Sequence, residues 1–165
     1  MSQETAKQVM RRYLTEVVAA GRLEVLEEIA AENVIDHTAV AAGWGEGRAG
    51  LERHVRFFRD CVPDLEITIL RLIASEDEVV GVWRVKGTHR APLFGVPATG
   101  KVIEWTNASI FRVEGGKVVD YTGVWGSLEA VQRMGVPIKL PAAEIDGLVR
   151  DAVTGSVLGR TEGTE

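Results

Sequence analysis

Cysteine is almost absent from this chain. Cys61 stands alone, so no internal disulfide framework is available, and this usage fits a reducing compartment. Long apolar runs are absent too: none approaches the ~20 residues that span a bilayer. The first ten residues, MSQETAKQVM, are polar and lack the apolar stretch of a secretory signal. These absences predict a cytoplasmic protein with no membrane partner. Positive charge is in short supply: 19 Lys and Arg stand against 24 Asp and Glu, a formal net charge of −5, with the basic residues dispersed. Phosphate binding needs clustered Lys and Arg, so nucleic acid is not an expected partner. The three histidines, His37, His54 and His89, lack ligand-like spacing, so no metal site is expected. Serine hydrolysis has no G-x-S-x-G elbow to work from.

One cofactor motif is present in letters. Residues 43–50, GWGEGRAG, contain G-x-G-x-x-G as Gly45, Gly47 and Gly50. A dinucleotide turn must follow a buried strand, open the crossover helix of a βαβ unit and precede an acidic residue ~20 positions on. Here the preceding NVIDH is a weak strand and the downstream elements form a meander of hairpins. The stretch therefore reads as a flexible glycine-rich loop entering a helix, and no cofactor is expected.

The chain's 165 residues suit one domain. The expected division is a domain over 1–136 and an extension over 137–165, with a helical piece from Ala142 to Val153 and a disordered GRTEGTE end. Val9, Met10, Tyr13, Leu14, Val17 and Val18 recur at helical spacing. A short second helix covers Leu23–Ala30. A third carries Leu51, Val55, Phe58 and Val62 and stops at Pro63. Period-two patterns follow in LEITILRLI, EVVGVWRVKGTH and KVIEWTNASIFRV, and EGGK turns the last of these back into VVDYTGVW. SLEAVQRMG closes the domain as a short helix. Helices first and antiparallel strands after them make the class α+β, with N-terminal helices packed on a curved, mainly antiparallel sheet.

A helix-backed curved sheet closes into a cone, and such cones bind small ligands in their interior. Alternation puts Ile103, Trp105, Asn107, Ser109 and Phe111 on one face of the long strand. Val119, Tyr121, Gly123 and Trp125 share a face of its partner, and Trp83, Val85, Gly87 and His89 share one in the second strand. Aromatic surface mixed with Asn, Ser and His reads as a pocket wall, because buried polar groups need partners.

Several of these stretches together, PDLEITILRLIASEDEVVGVWRVKGTH, FGVPATGK, IFRVEGGKVVDY and LEAVQRMG, resemble the SnoaL-like polyketide cyclases. The resemblance runs from about Tyr13 to Gly135. It implies the cystatin-like, NTF2-like cone-shaped barrel, a deep apolar pocket, cofactor-free chemistry on a hydrophobic small molecule, and assembly as a homodimer or homotetramer. Well-known members close rings by intramolecular aldol condensation, and the same scaffold also hosts hydroxylation, dehydration, isomerisation and pure binding. The return strand of the aldol cyclases carries a His-Trp-Asp type cluster whose Asp is the general acid/base. Here Tyr121, Thr122 and Gly123 stand at those places, and an alternative family Asp falls on Gly126. Asn107 and Ser109 match polar pocket positions, and Asp36 with His37 matches the family's DH.

The candidate catalytic residues are Tyr121 as donor, Asn107 as orienting group and His37, beside Asp36, as base, since imidazole titrates near neutrality. Asp36, Trp83, His89, Trp105, Ser109 and Trp125 are the candidate substrate-binding residues. His89 is placed at the pocket mouth and His54 is read as a satisfied, partly buried side chain. Arg112 and Asp120 are expected to form a structural ion pair. Two functions follow: a cofactor-free enzyme of secondary metabolism acting on a polyketide-like molecule, or a binding protein that kept the pocket and lost the carboxylate.

Overall fold

The computed structural model describes residues 2–137. The helical piece expected at Ala142–Val153 and the GRTEGTE end lie outside these residues. The elements below fall in a compact unit, Met1–Gly135.

Helix α1 spans Gln3–Arg12, and Ser2 caps it by accepting from the Thr5 N–H at 3.2 Å. The chain continues without a break as a wider π-helical segment, Tyr13–Ala19. Its expected apolar stripe is buried throughout, from Val9 to Val18. The second helix is shorter than the pattern suggests: a 3₁₀ turn at Leu23–Val25 leads into α2, Leu26–Ile29. The chain then becomes strand β1, Ala30–Asp36, which begins before NVIDH. A short helix, α3 (His37–Ala41), was not expected. It forms because the Asp36 carboxylate accepts from the Thr38 and Ala39 N–H groups at 2.9 and 3.1 Å, satisfying two donors at its start. Helix α4, Gly47–Cys61, buries Leu51, His54, Val55 and Phe58. No described helix is long and apolar enough to cross a membrane.

Strands β2 (Glu66–Ala74), β3 (Glu78–Thr88), β4 (Val102–Glu114) and β5 (Lys117–Trp125) form an antiparallel meander, and helix α5 (Ser127–Met134) follows. The sheet order is β1-β5-β4-β3-β2. β1 pairs with β5 in parallel, Asp36 opposite Tyr121, so the sheet is mixed at one edge. It does not close on itself, and the helices complete the cone.

Parity places the inward face largely as the alternation suggests. Phe111 lies opposite Tyr121, Ser109 opposite Gly123 and Asn107 opposite Trp125. One residue departs. Arg112 pairs with Asp120 but Val113 pairs with Val118, so Val119 is the extra residue of a β-bulge. Val118 takes the inward place in its stead and is buried.

The G-x-G-x-x-G string is consumed by packing. A Cβ on Gly50 would lie 2.3 Å from the Gly45 carbonyl oxygen. Gly47 has φ +65°, and a Cβ there would lie 2.6 Å from the Glu32 carbonyl oxygen. These glycines let the loop fold tightly against β1 and the start of α4.

Candidate active site

Two elements that are distant in sequence meet inside the cone. Asp36 ends β1 and His54 sits on the inner face of α4. Both are 2% exposed, and Asp36 Oδ2 lies 2.7 Å from His54 Nδ1. The other carboxylate oxygen is held by the start of α3. The buried charge is therefore hydrogen-bonded on both oxygens, as burial demands. With the ionised carboxylate as acceptor, Nδ1 is the donor, which leaves Nε2 as the ring's free nitrogen. Nε2 has no hydrogen-bond partner among the described residues.

His54 borders a cavity of about 10 Å³ lined also by Tyr13, Phe58, Trp83, Tyr121 and Trp125, room for about one water. The imidazole stacks on Tyr121, with centroids 5.6 Å apart and planes 10° from parallel, and packs on Trp125 at 5.3 Å. Phe58 and Phe94 meet Trp105 and Trp125 edge-on. Phe94 comes from a tight turn, Leu93–Val96, and has φ 52°, a left-handed conformation that costs a non-glycine residue roughly 1–2 kcal/mol. Its ring closes the cone over the two tryptophans.

Burial pushes the Tyr121 phenol up to about 12, and the Asp36 charge adds to the rise; hydrogen bonds from Ser109 and Tyr13 pull the other way. Burial, reinforced by Tyr121 and Asp36, also holds the Tyr13 phenol well above its usual value. Both phenols are donors at neutral pH. The sign for stability follows: a raised folded-state value favours the fold below the ordinary value of 10.0, and this benefit is lost as pH climbs through the folded value. Stability measured by denaturant should fall between about pH 10 and 12, and Tyr121→Phe should flatten part of that fall.

The expected site residues divide into groups. Tyr121, Trp83 and Trp125 line the cavity and Asp36 lies directly behind it. Trp105, Asn107 and Ser109 share the inward face but do not line the cavity, because the aromatic side chains interdigitate there. Ser109 Oγ accepts from Trp83 Nε1 at 3.1 Å. Asn107 Oδ1 accepts from the Gly126 N–H at 3.1 Å, and its Nδ2 is buried with no partner. His89 is not at a mouth. It is fully buried, with Nδ1 on Thr99 and Nε2 without a partner, because the 90–101 segment folds over it.

His37 is not brought to the cavity. Asp36 turns inward as the cap of α3, and His37, the next residue, turns outward. Its side chain is 55% exposed and its Nε2 lies 3.0 Å from Asp120 Oδ2. The expected Arg112–Asp120 pair is thereby replaced: Asp120 takes His37 and Arg112 takes Glu114. Among the described residues no group of three or more His, Cys, Asp or Glu side chains converges as a metal would need.

Sequence reasoning passed over His54 and Tyr13 as site residues. Both sit in helical stripes of apolar residues, where spacing reports burial and not partners. His54 lies three residues after Leu51 and four before Phe58, which places it inward, and a buried imidazole requires a polar partner.

Gly123 and Gly126, the positions where the resemblance implies a carboxylate, differ. A Cβ on Gly126 would lie 2.2 Å from the Thr106 carbonyl oxygen. At Gly123 its three nearest neighbours would be side-chain atoms, at 3.1–3.4 Å. A side chain at Gly123 therefore needs those side chains to give by a few tenths of an ångström, whereas at Gly126 it meets fixed backbone.

The model of the SnoaL-like polyketide cyclase family matches residues 8–133. AclR from Streptomyces galilaeus, a proposed hydroxylase, superposes with a TM-score of 0.69 at 20% identity over 93% of this chain and 95% of its own. A proposed polyketide cyclase from Acidithiobacillus ferrooxidans gives 0.67 at 26% identity, over 82% and 98%. A SnoaL-like polyketide cyclase from Agrobacterium tumefaciens gives 0.68 at 15% identity, over 82% and 100%. No curated protein matches the sequence.

Proposed function

The chain belongs to the SnoaL-like polyketide cyclase family, and from that membership and the cavity's geometry we propose that it catalyses cofactor-independent proton transfer on a hydrophobic, polyketide-like carbonyl compound, with His54 as the base. The observation that carries this is the Asp36–His54 pair, 2.7 Å apart beneath an aromatic cavity, in a chain with glycine at both family carboxylate positions. Asp36 fixes the ring orientation and stabilises the imidazolium that forms, in the manner of a carboxylate behind a catalytic histidine. His54 Nε2 takes a proton from the carbon beside the carbonyl. Tyr121 donates to the oxygen as negative charge builds there. In an aldol closure the enolate carbon then attacks a second carbonyl, and the new alkoxide takes the proton back from His54.

A polycyclic substrate needs a pocket of a few hundred Å³, so side chains around the cavity must move for it to reach His54. A second reading is a binding protein without turnover, favoured by Gly123 and Gly126. One experiment separates the two. An anthraquinone bearing a β-keto ester side chain is incubated with the protein in D₂O, and exchange at its acidic carbon is followed by proton NMR. Exchange well above the buffer rate is expected. Tyr121→Phe should slow it by about 10²–10³-fold, the usual cost of one oxyanion donor. His37→Ala should leave it unchanged. Binding without exchange would establish the second reading.

A further inference from the structure

The wall of the His54 cavity is sealed almost throughout. Seven of the eight residues that line it are at most 3% exposed, and the eighth, Trp125, is half-buried. Trp125 also borders a second space, a largely apolar groove of about 500 Å³ with Thr38, Ala41, Ala42 and Gly123 in its wall. It is the one lining residue that the cavity and the groove share. The groove follows from the strand pairing. β1 ends at Asp36, opposite Tyr121, and α3 begins there. β5 therefore runs on to Trp125 with no strand beside it on that edge, and the groove lies between that edge and α3. Packing alone holds the indole. Trp83 Nε1 donates to Ser109 Oγ at 3.1 Å, whereas Trp125 Nε1 has no hydrogen-bond partner among the described residues. The ring lies across Gly123, with Nε1 3.1 Å from where a Cβ would stand.

We propose that Trp125 is the gate of the His54 cavity and that the groove between α3 and β5 is the way in, where a flat, fused-ring ketone docks before its reacting carbon passes the indole. This rests on the proton-transfer reading above and adds to it a route, a docking site and a specificity-determining residue. Size decides which space takes the bulk of the molecule. The groove falls within the ~300–1,000 Å³ of small-molecule sites, and the cavity, with room for about one water, does not. The rings therefore rest in the groove, and only the reacting end needs the space that the indole vacates. Turning the indole aside breaks aromatic contacts with His54, Phe58 and Phe94 but no hydrogen bond to a described residue. A planar ligand against Ala41 and Ala42 buries apolar surface in exchange. A small aliphatic ketone covers little of the groove, so the geometry selects wide, flat substrates. Phe94 leans on the indole edge-on at 5.9 Å but does not line the cavity, so it braces the gate without sealing the site.

The histidines themselves report on the gate. Diethyl pyrocarbonate, which acylates a neutral imidazole nitrogen, is added to the full chain, and mass spectrometry follows each histidine. His37 is exposed and His89 fully buried, so they set the fast and slow limits. In wild type His54 should react near the slow limit. Trp125→Ala should speed its acylation at least tenfold while His89 stays slow. Trp125→Leu should give an intermediate rate, and it carries the comparison if the alanine variant does not fold. Ala41→Phe, at an exposed position of α3, fills the groove and should weaken binding of the anthraquinone β-keto ester at least tenfold, measured by isothermal titration calorimetry. Fast His54 acylation in wild type, no acceleration in the Trp125 variants, or equal acceleration of His54 and His89 overturns the gate. Equal ester binding by Ala41→Phe and wild type overturns the groove, and so does deuterium exchange that Ala41→Phe leaves unslowed, although the base then stands. Gated acylation and weakened binding in a protein that exchanges no deuterium support the route and remove the His54 base alone.

Discussion

His54→Gln should slow deuterium exchange into the β-keto ester by about 10²–10⁴-fold, the usual contribution of a positioned general base. Glutamine keeps a polar group within reach of Asp36 but cannot take up a proton at neutral pH. The carboxylate still accepts from the Thr38 and Ala39 N–H groups, so α3 stays capped. Replacing the imidazole's hydrogen bond to Asp36 by an amide's should cost at most about 1.5–3 kcal/mol of stability. The variant should therefore fold, melt somewhat earlier and exchange protons slowly. A rate near wild type would move the base elsewhere.

Gly50→Ala, in the first turn of α4, should be strongly destabilising. Its methyl group would lie 2.3 Å from the Gly45 oxygen and 2.9 Å from the Gly45 carbonyl carbon. Both atoms are backbone, so neither can rotate away. Overpacking of this kind costs about 3 kcal/mol, which lowers Tm by roughly 6–12 °C in a domain of this size. Gly43 is the control. Nothing lies within 4 Å of a Cβ there, and only its φ of +71° opposes alanine, a penalty of about 1 kcal/mol. Thermal melts of the two variants should differ accordingly. Equal melts would mean that the loop relaxes freely and that Gly50 is not held against Gly45.

These two residues mark where the sequence could be read and where it could not. Periodicity located the helical half, the four meander strands and the inward parity of Trp105, Asn107 and Tyr121, because burial writes itself into spacing. It did not reveal α3, which exists through one side chain, Asp36, accepting two N–H bonds. Nor did it reveal the bulge that exchanges Val119 for Val118. The site was less legible than the fold. Adjacency in sequence suggested Asp36 with His37, whereas the cap geometry turns these neighbours apart and delivers Asp36 to His54, eighteen positions away. Such pairings depend on how β1 and α4 cross, and that is set by packing over the whole cone.

Chemical rescue tests the central claim, that His54 is the base, most directly. His54→Ala removes the imidazole beside the existing cavity and leaves a hole of its shape. Added imidazole should restore deuterium exchange in proportion to its occupancy, and methylimidazoles too large for the hole should not. If thermal shift shows imidazole bound to a folded His54→Ala protein while exchange stays at the unrescued rate, His54 is a packing residue and the proposed base is wrong.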